Sequence, residues 1–196
     1  MNALQIVYLV RHGETEWSSS HQHTGSTDIA LTPAGEMEAE AAGKALVGLT
    51  PTLVLSSPLQ RAARTAELAG FGATLQTDDD LVEWDYGAYE GLTSAEIHAQ
   101  RPDWLLFRDG CPDGESPAQV SHRADRVVAR LRAAEGTALI FSHGHFSRVL
   151  AARWLGLPVE FGRYFLLSTS AISVLGYEHG LDEPAIVRWN DTGHLH

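Results

Sequence analysis

"LQIVYLVRHGETEW", residues 4 to 17, carries an apolar run straight into an arginine, a histidine and a glycine. Leu4 to Val10 is rich in β-branched and aromatic side chains, which fit a pleated surface covered on both faces. The run therefore reads as a buried strand of an α/β sheet. The triplet Arg11-His12-Gly13 then falls at the carboxyl end of that strand. Open α/β sheets bind ligands at this end, because the strand exits and the loops after them leave backbone groups free. A solvated strand exit has the same composition, so the triplet needs company before it names any chemistry.

Company is found further along the chain. "TLVLSSPLQRAARTAELAG" (52–70) reads as a strand over 52–58 and a helix over 59–70 stopped by Gly70. "TALIFSHGHFSRVLAARWLG" (137–156) repeats the opening: apolar strand, His-Gly turn, helix. Between the first two units, Thr32 stands as an N-cap before Pro33, and Glu36 lies in the first turn, so a helix is expected over Pro33–Leu49. A short strand is expected over Ala73–Thr77, with helices over Ser94–Arg101 and Pro117–Ala134. Final strands are expected over Ser170–Tyr177 and Ala185–Trp189, around a turn at His179 to Glu183. Successive strand-helix units make this an α/β protein. The expected architecture is a three-layer α/β/α sandwich with a mostly parallel central sheet, forming one domain over 1–196. A small cap is expected from the Ser/His/Thr/Gly-rich segment 18–31 and from 84–120.

At 196 residues and 44% hydrophobic content, the chain can bury a sizeable core. A formal net charge of −11 argues against nucleic acid or anionic membrane as a partner, since both need a basic face. Any anion site must be local. All but one of the 14 basic residues are arginine, whose planar guanidinium suits bidentate contact with phosphate. The single cysteine, Cys111, excludes an intramolecular disulfide and fits a reducing compartment. No stretch has the length to span a bilayer and the N-terminus has no secretory pattern, so a cytoplasmic location is expected.

Arg11, His12, Arg61, Glu83 and His143 are a set with a shared use. Phosphoryl transfer asks for positioning and for positive charge around the equatorial oxygens, which two arginines and a second histidine supply. A neutral imidazole can attack phosphorus, and a neighbouring guanidinium disfavours its protonation. A carboxylic acid can then protonate the departing alkoxide, a role for which Asp85 and Glu90 compete with Glu83. The spacings His21-x-His23 and His143-x-His145 lack a companion carboxylate or cysteine set, so no metal is expected. Trp17, Trp84, Trp104 and Tyr86 read as core or pocket wall.

"RHGETEW", "HTGSTDIALTPAG", "SSPLQRAARTAE", "EWDYGAYEGLT", "PDGES" and "FSHGHFSRVL" occur in this order and span nearly the whole chain. In this the protein resembles the histidine phosphatase superfamily, which includes the cofactor-dependent phosphoglycerate mutases. The resemblance implies that His12 becomes a phosphohistidine, that Arg11, Arg61 and His143 form the phosphate pocket, and that Glu83 is proton donor and then base. Ser18, Thr24, Gly25, Tyr86 and Gly144 match positions that bind substrate or phosphate in relatives. No cofactor is implied. Within the superfamily, Ser94 stands where mutases carry a lysine, and Arg108 is followed by Asp109 where they carry an arginine pair. The wording of the motifs is closer to a branch of acid phosphatases and sedoheptulose-1,7-bisphosphatase-like enzymes. A phosphatase of small phosphorylated metabolites is therefore expected, with sugar phosphates or bisphosphates the sharpest substrate class and a broad phosphomonoesterase weighed evenly beside it. A mutase is the alternative, and an inactive binding module the remote one. Residues Arg108 to Ser116 are expected in the cap over the substrate, with Arg163 or His145 at its distal end. A homo-oligomer is left open.

Overall fold

The structure is a computed structural model that describes residues 5–196, so Leu4, the first residue of the expected opening strand, lies outside the described residues. Strand β1 (Ile6–Arg11) ends in the Arg-His-Gly triplet. A one-turn helix α1 (Glu16–Ser19) follows, then α2 (Pro33–Ala45), β2 (Leu53–Ser56) and α3 (Gln60–Leu68). After β3 (Gln76–Thr77) come α4 (Ser94–Gln100), α5 (Leu106–Asp109) and α6 (Pro117–Ala133). The chain closes with β4 (Thr137–Ser142), α7 (Gly144–Trp154), β5 (Ile172–Tyr177) and β6 (Pro184–Asp191).

The six strands form one sheet in the order β3-β2-β4-β1-β5-β6. β3, β2, β4 and β1 are parallel neighbours, whereas β5 is antiparallel to both β1 and β6. Helices cover both faces, as the period-2 alternation of a doubly buried strand requires. Val7 and Leu9 of β1 face a core built with Val127 and Leu131 of α6 and Val149 and Leu150 of α7. Val10, Val54, Leu139 and Phe141 face the opposite way, onto Ala42 of α2 and Ala66 of α3. Each fully buried aliphatic side chain contributes about 1.5–3 kcal/mol, so the sandwich holds the strand ends firmly.

Local chemistry explains most boundaries. Thr32 accepts from Gly35 N and caps α2 with Pro33 in its first turn, and Thr93 and Ser116 make capping boxes for α4 and α6. Helix α2 stops at Ala45, short of the expected Leu49, because the chain turns through Gly48 at φ +87°. Of the expected strand Ala73–Thr77 only Gln76 and Thr77 pair with β2, and Gly72–Thr74 is a 3-10 turn. The short helices α1 and α5 were not expected; single turns carry no periodicity to read.

Backbone contact between β1's exit and α2 demands glycine on both sides. A Cβ on Gly13 would lie 2.3 Å from the Gly35 carbonyl oxygen, and one on Gly35 would lie 2.1 Å from that of Glu14. Gly35→Ala must therefore push the His12–Glu14 loop off α2. Overpacking of this kind costs about 1–3 kcal/mol, so the urea midpoint should fall and activity with it. A midpoint equal to that of the parent would contradict this contact.

Candidate active site

Register decides what meets at the top of the sheet. In the β1–β4 ladder Arg11 pairs with Ser142, so His12 and His143 leave two adjacent parallel strands at the same level. Their ring centroids are 5.2 Å apart. The His12 backbone is held on both sides: its N–H donates to Ser142 O (2.9 Å) and its carbonyl accepts from Ser170 N (3.1 Å). His12 Nδ1 lies 2.7 Å from the Gly13 carbonyl oxygen. A carbonyl can only accept, so Nδ1 carries the proton and Nε2 keeps its lone pair. Burial, and then the charges of Arg61 and Arg11, hold the imidazole well below the usual histidine range. His12 is neutral at neutral pH, with a free lone pair on Nε2.

Arg61 and His143 are fully buried and form a layer behind the open cavity. Arg61 Nε–H donates to His143 Nδ1 (3.2 Å), which places the ring proton on Nε2, where it reaches Ser57 Oγ (2.8 Å). The other Arg61 nitrogens donate to the carbonyls of Thr24, Gly25 and Thr27 at 2.9–3.1 Å. Arg61 thus ties segment 24–27 to α3. Arg11 is different. Its Nη1 donates to Leu167 O (2.6 Å), but its buried Nε has no partner among the described residues. Its Nη2 makes no hydrogen bond to the described residues, and the guanidinium lines the cavity, so it can meet an anion there.

Opposite the arginine sits Glu83, buried at the N-terminus of α7. Its Oε1 accepts from Trp84 N (2.8 Å) and Phe146 N (2.7 Å), and its Oε2 accepts from His145 N (2.9 Å). Three backbone donors fix both oxygens, while Oε2 keeps a lone pair on the side of Gly144 and Arg11. Of the three carboxylates that competed in sequence, only Glu83 lines the cavity. Asp85 is exposed and accepts from Gly87 N, and Glu90 accepts from Gly25 N and Thr27 N.

The cavity encloses about 360 Å³. Arg11, His12, Ser18, Thr24, Glu83, Tyr86 and Gly144 line it; Gly25, Arg61 and His143 stand behind its wall. His145 lines it as well, held by Tyr86 Oη at 2.6 Å from Nδ1. Burial pushes Tyr86 well above the usual phenol range and His145 well below the usual histidine range, so both are neutral and share one hydrogen bond. Of the pair offered for the distal end, His145 reaches the cavity, whereas Arg163 is exposed and bonded to Tyr164. The Arg108–Ser116 segment lines no part of this cavity, and Arg108 pairs with Asp109 at 2.8 Å. The lining also includes Arg148, Thr169 and His23, which the sequence reading did not assign; Arg148 lies one helical turn beyond Gly144 on α7, the spacing that could have found it. Among the described residues, the carboxylate and imidazole atoms that cluster within 4.8 Å are those of Glu178, His179 and Glu183 on an exposed turn, apart from both His-x-His spacings.

The model of the histidine phosphatase superfamily, branch 1, matches residues 7–192. The chain belongs to that family. An acid phosphatase of Mycobacterium tuberculosis is 44% identical over 190 residues, 95% of this chain and 92% of that protein. The sedoheptulose 1,7-bisphosphatase of Saccharomyces cerevisiae is 34% identical, over 91% and 90% of the two chains. A solved structure of a Mycobacterium tuberculosis open reading frame superposes with a TM-score of 0.90 at 43% identity, covering 97% of this chain and 99% of that one.

His12, His143, His145 and His23 are all held below the ordinary histidine value, with burial the largest cause each time. Below about pH 6.5 the unfolded chain therefore binds protons that the folded chain refuses. Stability is fully present above that pH and should fall as pH drops to 5.5, by up to about 1.4 kcal/mol per pH unit for each histidine. Thermal unfolding at pH 7.5 and 5.5 reads this directly, and His145→Gln should show a shallower slope. Stability that rises on acidification would contradict neutral burial.

Proposed function

We propose that the protein is a metal-independent phosphatase that hydrolyses small phosphorylated metabolites through a phosphohistidine at Nε2 of His12. The observation that carries the reading is the tautomer-locked, neutral His12 beside the Arg11 guanidinium, which lines the same cavity with its Nη2 uncommitted. The Nε2 lone pair attacks phosphorus as the P–O bond to the substrate breaks, and Glu83 gives its proton to the departing oxygen. Arg11 meets the charge on the equatorial oxygens, with the Arg61–His143 layer supplying positive potential from behind. Glu83 then takes a proton from water, whose oxygen attacks phosphorus while the P–N bond breaks, and inorganic phosphate leaves with His12 restored.

Sugar bisphosphates are the preferred class in this reading. Arg148 spends Nε and Nη2 on the carbonyls of Gly162 and Arg163 and keeps Nη1 free, which gives the cavity a cationic donor beside His145 for a second anionic group. Ser94 lines the same cavity where a mutase carries a cation, and Arg108 lies elsewhere, so a carboxylated triose has no dedicated anchor pair. The names of the Mycobacterium and yeast relatives support the hydrolytic reading. The one thiol, buried Cys111, is pushed up to about 12 by burial and suits a reducing, cytoplasmic setting as a bystander.

The test is a panel of phosphorylated metabolites in excess EDTA, with free phosphate and isomerised product read separately. Phosphate release should persist in the chelator and be fastest with sugar bisphosphates, and His12→Ala should lower turnover by on the order of 10⁴-fold or more. Conversion of 3-phosphoglycerate to 2-phosphoglycerate faster than any phosphate release would overturn the phosphatase reading. Glu83→Gln should lose about 10²-fold or more on an alkyl phosphate and far less on p-nitrophenyl phosphate, whose phenolate departs unaided. Equal losses on both would remove Glu83 from the acid role.

A further inference from the structure

Glu83 hangs on a segment without regular structure, and its carboxylate needs a fixed aim to reach a leaving oxygen beside His12. That segment is gripped by one side chain. Arg123, buried on α6, uses all five of its N–H groups. Nη1 donates to the carbonyls of Asp80 (2.9 Å) and Val82 (2.6 Å), and Nη2 donates to the carbonyl of Glu83 itself (3.2 Å). Nε and Nη2 close a two-point pair with the Glu115 carboxylate at 3.0 and 2.6 Å. Glu115 continues the grip past the acid: Oε2 accepts from Asp85 N (3.0 Å), its carbonyl accepts from Trp84 Nε1 (2.9 Å), and its N–H donates to the Asp85 carbonyl (2.9 Å). The guanidinium also lies 4.5 Å over the ring of Phe146, whose backbone N–H holds Glu83 Oε1.

We propose that the Arg123–Glu115 pair is the positioning device for Glu83, setting the aim of its carboxylate across the cavity. The inference rests on the reading of Glu83 as a working group of the phosphatase. Neither partner lines the cavity, so they act through the backbone on both sides of the acid. A guanidinium is needed, because three carbonyls and a carboxylate must be met by a planar fork that an ammonium cannot reproduce. The pair differs from the surface ion pairs beside it, in which Arg126 and Arg130 reach only the Asp80 and Asp78 carboxylates.

Arg123→Lys and Glu115→Gln, alone and combined with Glu83→Gln, test the proposal on an alkyl phosphate and on p-nitrophenyl phosphate. Loosening the aim of a working group costs up to about 10²-fold, so Arg123→Lys should lower kcat on the alkyl ester by about 30-fold with KM within about twofold. On p-nitrophenyl phosphate the loss should stay within about threefold, following the lesser need for an acid there. In the Glu83→Gln background the same substitution should cost less than about threefold, because there is no longer an acid to aim. Full additivity of the two losses would overturn the proposal and leave Arg123 a merely structural group. Should Arg123→Lys unfold, Glu115→Gln decides by the same criterion. The additivity readout holds whatever chemistry Glu83 performs, whereas the leaving-group dependence of Glu83→Gln alone judges the acid role, so the two readings fail separately.

Discussion

One ladder register sets the chemistry: Arg11 of β1 beside Ser142 of β4. Parallel neighbours with a two-sided core cannot slip by one residue without turning every buried side chain to the wrong face. With the register held, two histidines emerge together, each at the start of a segment that cannot drift. His12 is held by Ser142 and Ser170 and packed through Gly13 against Gly35, and His143 caps α7. Slippage by a residue would separate the rings and face Glu83 with a different partner, because Glu83 is bound to the first turn of the helix that β4 feeds.

An acidic chain thereby keeps a strongly positive pocket. The net charge of −11 is spread over the surface, while Arg11 and Arg61 are packed among backbone carbonyls and two neutral histidines. Burying a guanidinium costs several kcal/mol unless its donors are met, and Arg61 meets that cost with hydrogen bonds to one imidazole and three carbonyls. Arg11 spends Nη1 on Leu167 O and leaves Nη2 uncommitted beside the cavity. The nearest carboxylate, Glu83, is held by three backbone donors, so neither arginine collapses onto it as a salt bridge. The pocket is preorganised for an incoming anion, and its low local dielectric strengthens every contact that anion makes.

Much of this was legible in the chain. The strand-helix units, the cap at Thr32 and the paired strand-end histidines are local patterns written in residue type and spacing. Strand direction is not, so the reversal of β5 inside a mostly parallel sheet had no signal of its own. Burial depth was also hidden: Arg61 and His143 were read as pocket lining, and they are instead the pocket's backing, which depends on how segment 24–27 folds across α3. Arg163 and Arg148 show the same limit. Both are arginines downstream of the second His-Gly turn, and only packing distinguishes the one on α7 that reaches the cavity from the one on the outer 3-10 turn. Arg123 carries no mark in the sequence, because its role depends on the carbonyls of Asp80, Val82 and Glu83 that only the fold gathers around it.

The central claim is that the fold presents one nitrogen of one histidine to phosphorus, because the Gly13 carbonyl commits the other. Rapid alkaline quench of the enzyme turning over a labelled phosphate ester, followed by ³¹P spectroscopy and peptide mapping, identifies both the residue and the ring position. Phosphate should appear on Nε2 of His12, be absent in His12→Ala, and reach higher occupancy when water attack is slowed in Glu83→Gln. Phosphate on Nδ1, on His143, or on no histidine at all under single-turnover conditions would contradict it.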